Sequence, residues 1–125
     1  MIFDWSEYLD LAKELAGEAT ASAKPEARRR AAIGLAYYAA FILARNHLRD
    51  KEGHSIPRTG DAHRYVAEQF KLNPDPAYQS VASSLAKLRL YRLQADYVDR
   101  YPGLSGIVNI ALRLSEEAIA SLKSL

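Results

Sequence analysis

Apolar residues recur along most of the chain at the three- and four-residue spacing that is typical of amphipathic helices. In the first segment, Asp4 and Glu7 have the spacing of an N-terminal capping box. We therefore predict a first helix over about residues 4–22. Its apolar stripe consists of Leu9, Leu11, Ala12, Leu15 and Ala19.

The second apolar segment is longer and rich in alanine. Pro25 suits the first turn of a helix, and no strong helix breaker follows before Gly53, apart from Gly34. A helix of about 25 residues is predicted here. Its small side chains would let neighbouring helices approach closely, which predicts a central helix whose face is core or a subunit seam. The alanines are Ala27, Ala31, Ala32, Ala36, Ala39, Ala40 and Ala44.

Turn-forming residues divide the rest of the chain. Residues 51–60 contain two glycines and a proline and are predicted to form a surface loop. Asp61 then caps a short third helix to about Phe70, while Asp75 caps a fourth helix with Pro76 at its first position.

The fourth helix is predicted to end at Tyr101-Pro102-Gly103, and a last helix to run from about 104 to 122. No segment alternates like a strand, and no internal repeat is evident. With 125 residues, the chain predicts one all-α domain over residues 1–125, an up-and-down bundle of four or five helices, one of them short.

Composition narrows the chemistry. The chain has no cysteine, which excludes disulfides, thiolate catalysis and cysteine-ligated zinc. Its three histidines lack the one-turn spacing that ligation from one helix needs, so we predict no metal site and no cofactor. No apolar run is long enough to span a bilayer, and we expect a soluble, cytoplasmic protein that does not contact membranes.

Charge is unevenly distributed. Residues 1–23 contain five acids and one base (−4), whereas residues 24–100 contain fourteen bases and eight acids (+6). The basic middle could attract nucleic acid or an acidic partner, but a solvated helical surface gives the same asymmetry.

Three stretches in order resemble the HEPN (higher eukaryotes and prokaryotes nucleotide-binding) family. The first is Arg-x-Ala-Ile-x-x-Ala-Tyr-Tyr-Ala-Ala-Phe from Arg30 to Phe41, and the second is Thr-Gly-Asp-Ala-His ending at His63. The third, residues 88–97, is Leu-Arg-x-x-Arg-x-x-Ala-Asp-Tyr. Together they span most of the chain and imply a HEPN-like bundle.

The resemblance also implies a function. Many members are homodimeric, metal-independent endoribonucleases, and some are toxins paired with a minimal nucleotidyltransferase as antitoxin. Such cleavage needs a base near the ribose 2′-hydroxyl, a cation beside the phosphate and an acid for the leaving oxygen. Where such pairs are silenced by modification of a tyrosine, Tyr97 is the candidate acceptor.

The candidate catalytic residues are Arg92, Asp96 and Tyr97. Arg92 can bind phosphate with two donors, and Asp96 can act as a base or orient the arginine. The family motif is an arginine, four to six residues, then a histidine. After four intervening residues, Arg92 is followed by Tyr97 instead, and no histidine follows anywhere. An ordinary surface ion pair between Arg92 and Asp96 is the alternative interpretation.

The candidate RNA- or phosphate-binding residues are Arg89, Arg30 and His63. Arg89 lies one helical turn before Arg92, while Arg30 and His63 belong to the other two family-like stretches. A packing or capping role is the alternative for His63. The competing hypothesis for the whole chain is a non-catalytic HEPN binding or scaffolding module that has lost the motif histidine.

Overall fold

The computed structural model describes residues 2–19 and 24–125. Over these residues the chain is all-α and contains no strand, which confirms the predicted fold class. A π-helical segment, His47–Lys51, directly continues α2. The helices are α1 (Glu7–Glu18), α2 (Pro25–Asn46), α3 (Asp61–Leu72), α4 (Pro76–Tyr97) and α5 (Leu104–Lys123).

Helix α2 lies at the centre of the bundle and packs against α1, α4 and α5. Its alanines allow this, because helix axes can approach closely where side chains are small. On the α5 side, the buried Ser115 Oγ donates a hydrogen bond of 2.8 Å to the Ala36 carbonyl. The fully buried alanines of α2 are Ala32, Ala36, Ala39, Ala40 and Ala44.

Two predicted helix starts are wrong by a few residues. Asp4 is not the N-cap of α1, because its carboxylate accepts hydrogen bonds from the Ser6 backbone and hydroxyl in a turn before the helix. Asp61 is the first residue of α3 rather than its cap. The prediction for α4 is confirmed, since Asp75 accepts from the Ala77 amide.

The predicted ends of α1 and α4 also differ from those in the structure. Helix α1 ends at Glu18, and the predicted continuation to residue 22 runs into residues 20–23, which lie outside the described part of the chain. Helix α4 stops at Tyr97 rather than at residues 101–103, because Val98 is already extended. Gly103, with a φ of 72°, then leads into α5 in the left-handed region that favours glycine.

Among the described residues, none of the helices is both long enough and apolar enough to cross a bilayer.

Candidate functional site

Helices α2, α3 and α4 bring basic and aromatic side chains together in what we call the central cluster. It consists of Tyr37, Tyr38, His63, Arg89 and Arg92. Three helices are needed to build it, because α2 supplies the tyrosines, the first turn of α3 supplies the histidine, and α4 supplies the arginines. The two arginines are three residues apart, so they lie on one face of α4.

Arg92 is mostly buried and held by three groups. One terminal guanidinium nitrogen donates a 2.8 Å hydrogen bond to the Tyr38 hydroxyl. The guanidinium carbon lies 5.0 Å from the Tyr38 ring centroid and 5.7 Å from that of Tyr37, within cation–π range. Its Nε lies 3.0 Å from Asp96 Oδ2, but this nitrogen makes no hydrogen bond within residues 2–19 and 24–125.

His63 is fixed by stacking and by one hydrogen bond. Its ring stacks on Phe41 with centroids 4.2 Å apart and on Tyr37 with centroids 5.6 Å apart. Its Nδ1 lies 2.5 Å from the Tyr37 hydroxyl. Nε2, the second ring nitrogen, is therefore the one left for a ligand, while Tyr37 orients the ring.

The electrostatics of the central cluster favour a neutral histidine and a protonated tyrosine. Burial, followed by the positive charges of Arg89 and Arg92, lowers the pKa of His63 below its ordinary value of 6.5. Burial raises the pKa of Tyr37 to about 12, although the same two arginines oppose this change. At neutral pH the net charge of the cluster therefore comes from its arginines.

The positive charge of Arg89 is less well balanced by neighbouring groups than that of Arg92. In the described part of the chain no carboxylate forms an ion pair with Arg89, whereas Arg92 has Asp96; the buried Nε atoms of both arginines lack a hydrogen-bond partner there. A guanidinium whose charge no carboxylate balances favours an anionic ligand.

Arg30 lies away from this cluster. Its guanidinium donates hydrogen bonds to the carbonyls of Ala95, Val98 and Asp99, at 2.8, 2.7 and 3.0 Å. It lies 5.9 Å from the ring centroid of Tyr101. Arg30 thus donates hydrogen bonds to backbone carbonyls at the end of α4 and just after it. Its place in the family-like stretch does not reveal this structural role.

Asp96 and Tyr97 complete the predicted catalytic set. The Asp96 side chain is partly exposed and contacts Arg92, so the structure brings these two together as predicted by their spacing. Tyr97 is 75% exposed and makes no hydrogen bond or ring contact among the described residues. It stands at the outer end of α4, separate from the central cluster.

A second polar network, which sequence reasoning missed, lies at the π-helical segment. Glu52 Oε2 is 2.8 Å from His47 Nε2 and accepts a 2.5 Å hydrogen bond from the Tyr78 hydroxyl. His54 Nδ1 lies 2.6 Å from the Tyr65 hydroxyl. Only the tertiary structure reveals this network, because Tyr78 comes from α4 and Tyr65 from α3.

No group of histidine, cysteine, aspartate and glutamate side chains suited to a metal ion occurs in the part of the chain that the structure describes. No protein-family model, curated protein or solved structure matches the chain. The fold and the site together describe the protein as an all-α bundle with a basic, aromatic cluster between three helices.

This cluster has the components for binding phosphate and for moving a proton. Arginine donors suit phosphate oxygens, and a histidine with a lowered pKa is neutral at pH 7 and can accept a proton. The sequence indicated each residue separately. It gave no signal that His63 from α3 would lie near Arg92, because 28 residues separate them.

Proposed function

We propose that this protein is a HEPN-like domain that binds RNA through its phosphates at the central cluster, and that it is a metal-independent endoribonuclease. The observation that supports this most is the convergence of His63 with Arg89 and Arg92. It supplies a histidine beside the arginine in space, although none follows Arg92 in sequence.

The binding step uses the two arginines. Arg89 has a buried nitrogen without a partner among the described residues, and Arg92 presents a guanidinium fixed by Tyr38. A phosphate between them gains charge-assisted hydrogen bonds and offsets two positive charges. Asp96 then acts as a positioning residue for Arg92 rather than as the base.

The cleavage step uses His63 as the base. In the tautomer that donates Nδ1–H to the Tyr37 oxygen, Nε2 is free to accept the proton of the ribose 2′-hydroxyl. The resulting 2′-oxygen attacks the adjacent phosphorus, the bond to the 5′-oxygen breaks, and a 2′,3′-cyclic phosphate forms. Arg92 stabilises the negative charge that develops on the phosphate, and a proton from water or from His63 returns to the leaving oxygen.

The proposed assembly is a homodimer, supported by an exposed apolar stripe on α4. Leu90 and Leu93 are 55% and 37% exposed and lie one helical turn apart on α4. Val98 extends the stripe. Sedimentation of the wild type against Leu90→Glu tests the homodimer, and a wild-type monomer at micromolar concentration would refute it.

The proposed partner is a minimal nucleotidyltransferase antitoxin that modifies Tyr97. The exposure of this hydroxyl supports the proposal, since a modifying enzyme needs access to it. Incubating the protein with such an enzyme and a nucleoside triphosphate, followed by intact mass measurement, is the test. We expect one added nucleotidyl group in the wild type and none in Tyr97→Phe.

A second candidate function is a non-catalytic binding module. One observation favours it, namely that Arg92 is already paired with Asp96 and bonded to Tyr38, as in a structural ion pair. In this case RNA would bind without being cut.

The deciding experiment is cleavage of a mixed tRNA and mRNA pool in the presence of a chelator. Wild type is compared with Arg92→Ala, His63→Gln and Tyr97→Phe. We expect cleavage by the wild type, a loss of at least a hundredfold in the first two variants, and little change in Tyr97→Phe.

Arg100→Ala is the matched control, because Arg100 is an exposed arginine outside the cluster. Equal activity in wild type and Arg92→Ala would reveal a co-purifying nuclease and overturn the enzymatic proposal. RNA binding that depends on Arg92 without any cleavage would establish the binding module. Absence of both would refute RNA as the ligand.

A further inference from the structure

A cavity of about 500 Å³ lies beside the central cluster and is lined by three arginines. We call it the arginine pocket. Its remaining lining is apolar, and the volume falls in the usual range of ligand sites. The lining residues are Phe41, Arg45, Arg49, Ile56, Pro57, Arg58 and Ala62.

We propose that the arginine pocket binds a nucleotide, with the base against its apolar lining and the phosphate on its arginines. The pocket combines the two features that such a ligand needs, an apolar surface for a planar ring and several guanidinium groups for an anion. This inference rests on the proposed function in one respect: the nucleotide is taken to be a unit of the RNA strand bound at the central cluster.

The charges of the pocket are incompletely balanced. Arg49 forms hydrogen bonds of 2.8 and 3.2 Å with the Asp50 carboxylate. Among the described residues, Arg45 donates its hydrogen bonds to the neutral amide of Asn46, at 3.1 and 3.0 Å, and the nearby Asp50 carboxylate acts on it only through its charge. Arg58 is exposed on the loop after the π-helical segment and forms no ion pair or hydrogen bond within residues 2–19 and 24–125. Three cations thus face one carboxylate.

The surroundings of Arg45 add to this imbalance of charge. Burial first, and then the charge of Arg49, lower the pKa of its guanidinium. This means that the surroundings of Arg45 disfavour its positive charge. A bound phosphate would reverse this effect, because an opposite charge nearby stabilises the charged form.

The pocket adjoins the central cluster through Phe41. Phe41 lines the pocket and stacks on His63 at 4.2 Å, and Ala62 of the lining precedes His63 directly. Tyr37 and Arg45 are eight residues apart on α2, a rise of about 12 Å along the helix axis. Stacked nucleotides rise about 3.4 Å each, so a strand of three to four nucleotides covers this distance.

The test measures binding by fluorescence anisotropy in a chelator, using a non-cleavable 2′-O-methyl RNA octamer and, separately, adenosine monophosphate as competitor. The pocket variant is Arg45→Gln/Arg58→Gln. The control is Arg100→Gln/Arg113→Gln, which removes the same charge from exposed positions elsewhere. Arg58→Gln alone, on the exposed loop, is the second variant if the double variant folds poorly.

We expect the pocket variant to bind the octamer at least tenfold more weakly than the control does. The slope of log K against log salt should fall by roughly 0.7, because the pocket takes one phosphate and each phosphate contact on a single strand contributes about 0.7. If adenosine monophosphate competes at micromolar concentration in a pocket-dependent way, the natural source is a free nucleotide. If it does not compete, the source is the RNA strand.

Equal affinities and equal salt slopes in pocket variant and control would overturn the inference. Arg92→Gln separates this result from the proposed function. If Arg92→Gln binds the octamer like the wild type while the pocket variant does not, the central cluster fails as the RNA site and the pocket remains. If only Arg92→Gln weakens binding, the pocket fails and the proposed function remains.

Discussion

Replacing Arg30 with methionine tests whether this residue serves the fold or the ligand. Methionine keeps an apolar stem of similar length but removes the guanidinium. In the structure this group donates three hydrogen bonds to backbone carbonyls at and beyond the end of α4, and the side chain is only 19% exposed. The variant should therefore lose stability rather than affinity for RNA.

The expected loss in the free energy of unfolding follows from the three carbonyl oxygens that accept hydrogen bonds from Arg30. Hydrogen bonds to charged groups contribute about 1.5–3 kcal/mol where they are shielded from water. Only the bond to Ala95 is partly buried, while the carbonyls of Val98 and Asp99 are exposed and regain water when the arginine is removed. Counting about 1.5–2 kcal/mol for the first and about 0.5 kcal/mol for each of the others gives roughly 2.5–3 kcal/mol.

Urea denaturation followed by circular dichroism measures this loss. With an m value of about 1.5–2 kcal/mol/M for a domain of this size, the midpoint should fall by more than about 1 M. Arg30→Lys should recover about a third of the loss, because an ammonium cannot reach three carbonyls with a planar fork. The control is Arg29→Met on the same helix.

The reasoning is refuted if Arg30→Met is no less stable than Arg29→Met. RNA binding supplies the second readout. If Arg30→Met folds with normal stability and loses RNA affinity, the residue binds phosphate, as its place in the family-like stretch implied.

Three further outcomes are expected. Because the pKa of His63 is lowered in the folded state, the unfolded chain protonates first as pH falls through 6.5, and the free energy of unfolding should fall below that pH and level off below the lowered pKa. Urea denaturation at pH 8 and 5.5 measures this change in the free energy of unfolding. The change should be smaller in His63→Gln than in the wild type, and an equal change would contradict the role given to His63. Gly103→Ala should destabilise by about 1–2 kcal/mol because its φ is 72°, whereas Gly106→Ala, inside α5 and with open space for a Cβ, should stabilise by about 0.5–1 kcal/mol. Thermal unfolding measures both, and changes of the same sign would count against the backbone argument. Ser115→Leu should cost about 2–3 kcal/mol by overpacking the buried contact between α5 and α2, and a thermal midpoint within about 2 °C of the wild type would show that the contact is looser than described.

The sequence predicts the helices well because their signals are local. Asp75 and Pro76 mark the start of α4 at the correct residue, since a carboxylate cap and a proline at the first position act within one turn. Asp4 misled the prediction for α1, because the same side chain can also stabilise a turn before a helix. The sequence predicts the end of α4 at residues 101–103, which is too late. The carbonyls at the observed end accept hydrogen bonds from Arg30 on another helix, a contact that local sequence does not indicate.

The candidate site was predictable residue by residue but not as an arrangement. Arg92 and Asp96 were paired correctly, because a four-residue spacing on a helix places two side chains on one face. The partner of His63 was not predictable, because Tyr37 lies on another helix 26 residues away. The arginine pocket was missed for the same reason: its three arginines come from the end of α2, the π-helical segment and the following loop.

The sequence by itself therefore determined the all-α class and the approximate positions of the helices along the chain. Helical periodicity, caps and breakers depend on neighbours within a few residues, so they can be read along the chain. Only the tertiary structure decided that Arg30 supports the end of α4, that His63 lies with Arg89 and Arg92, and that Tyr97 stays exposed. These outcomes depend on how three helices pack around the alanines of α2, and this packing is a property of the whole core.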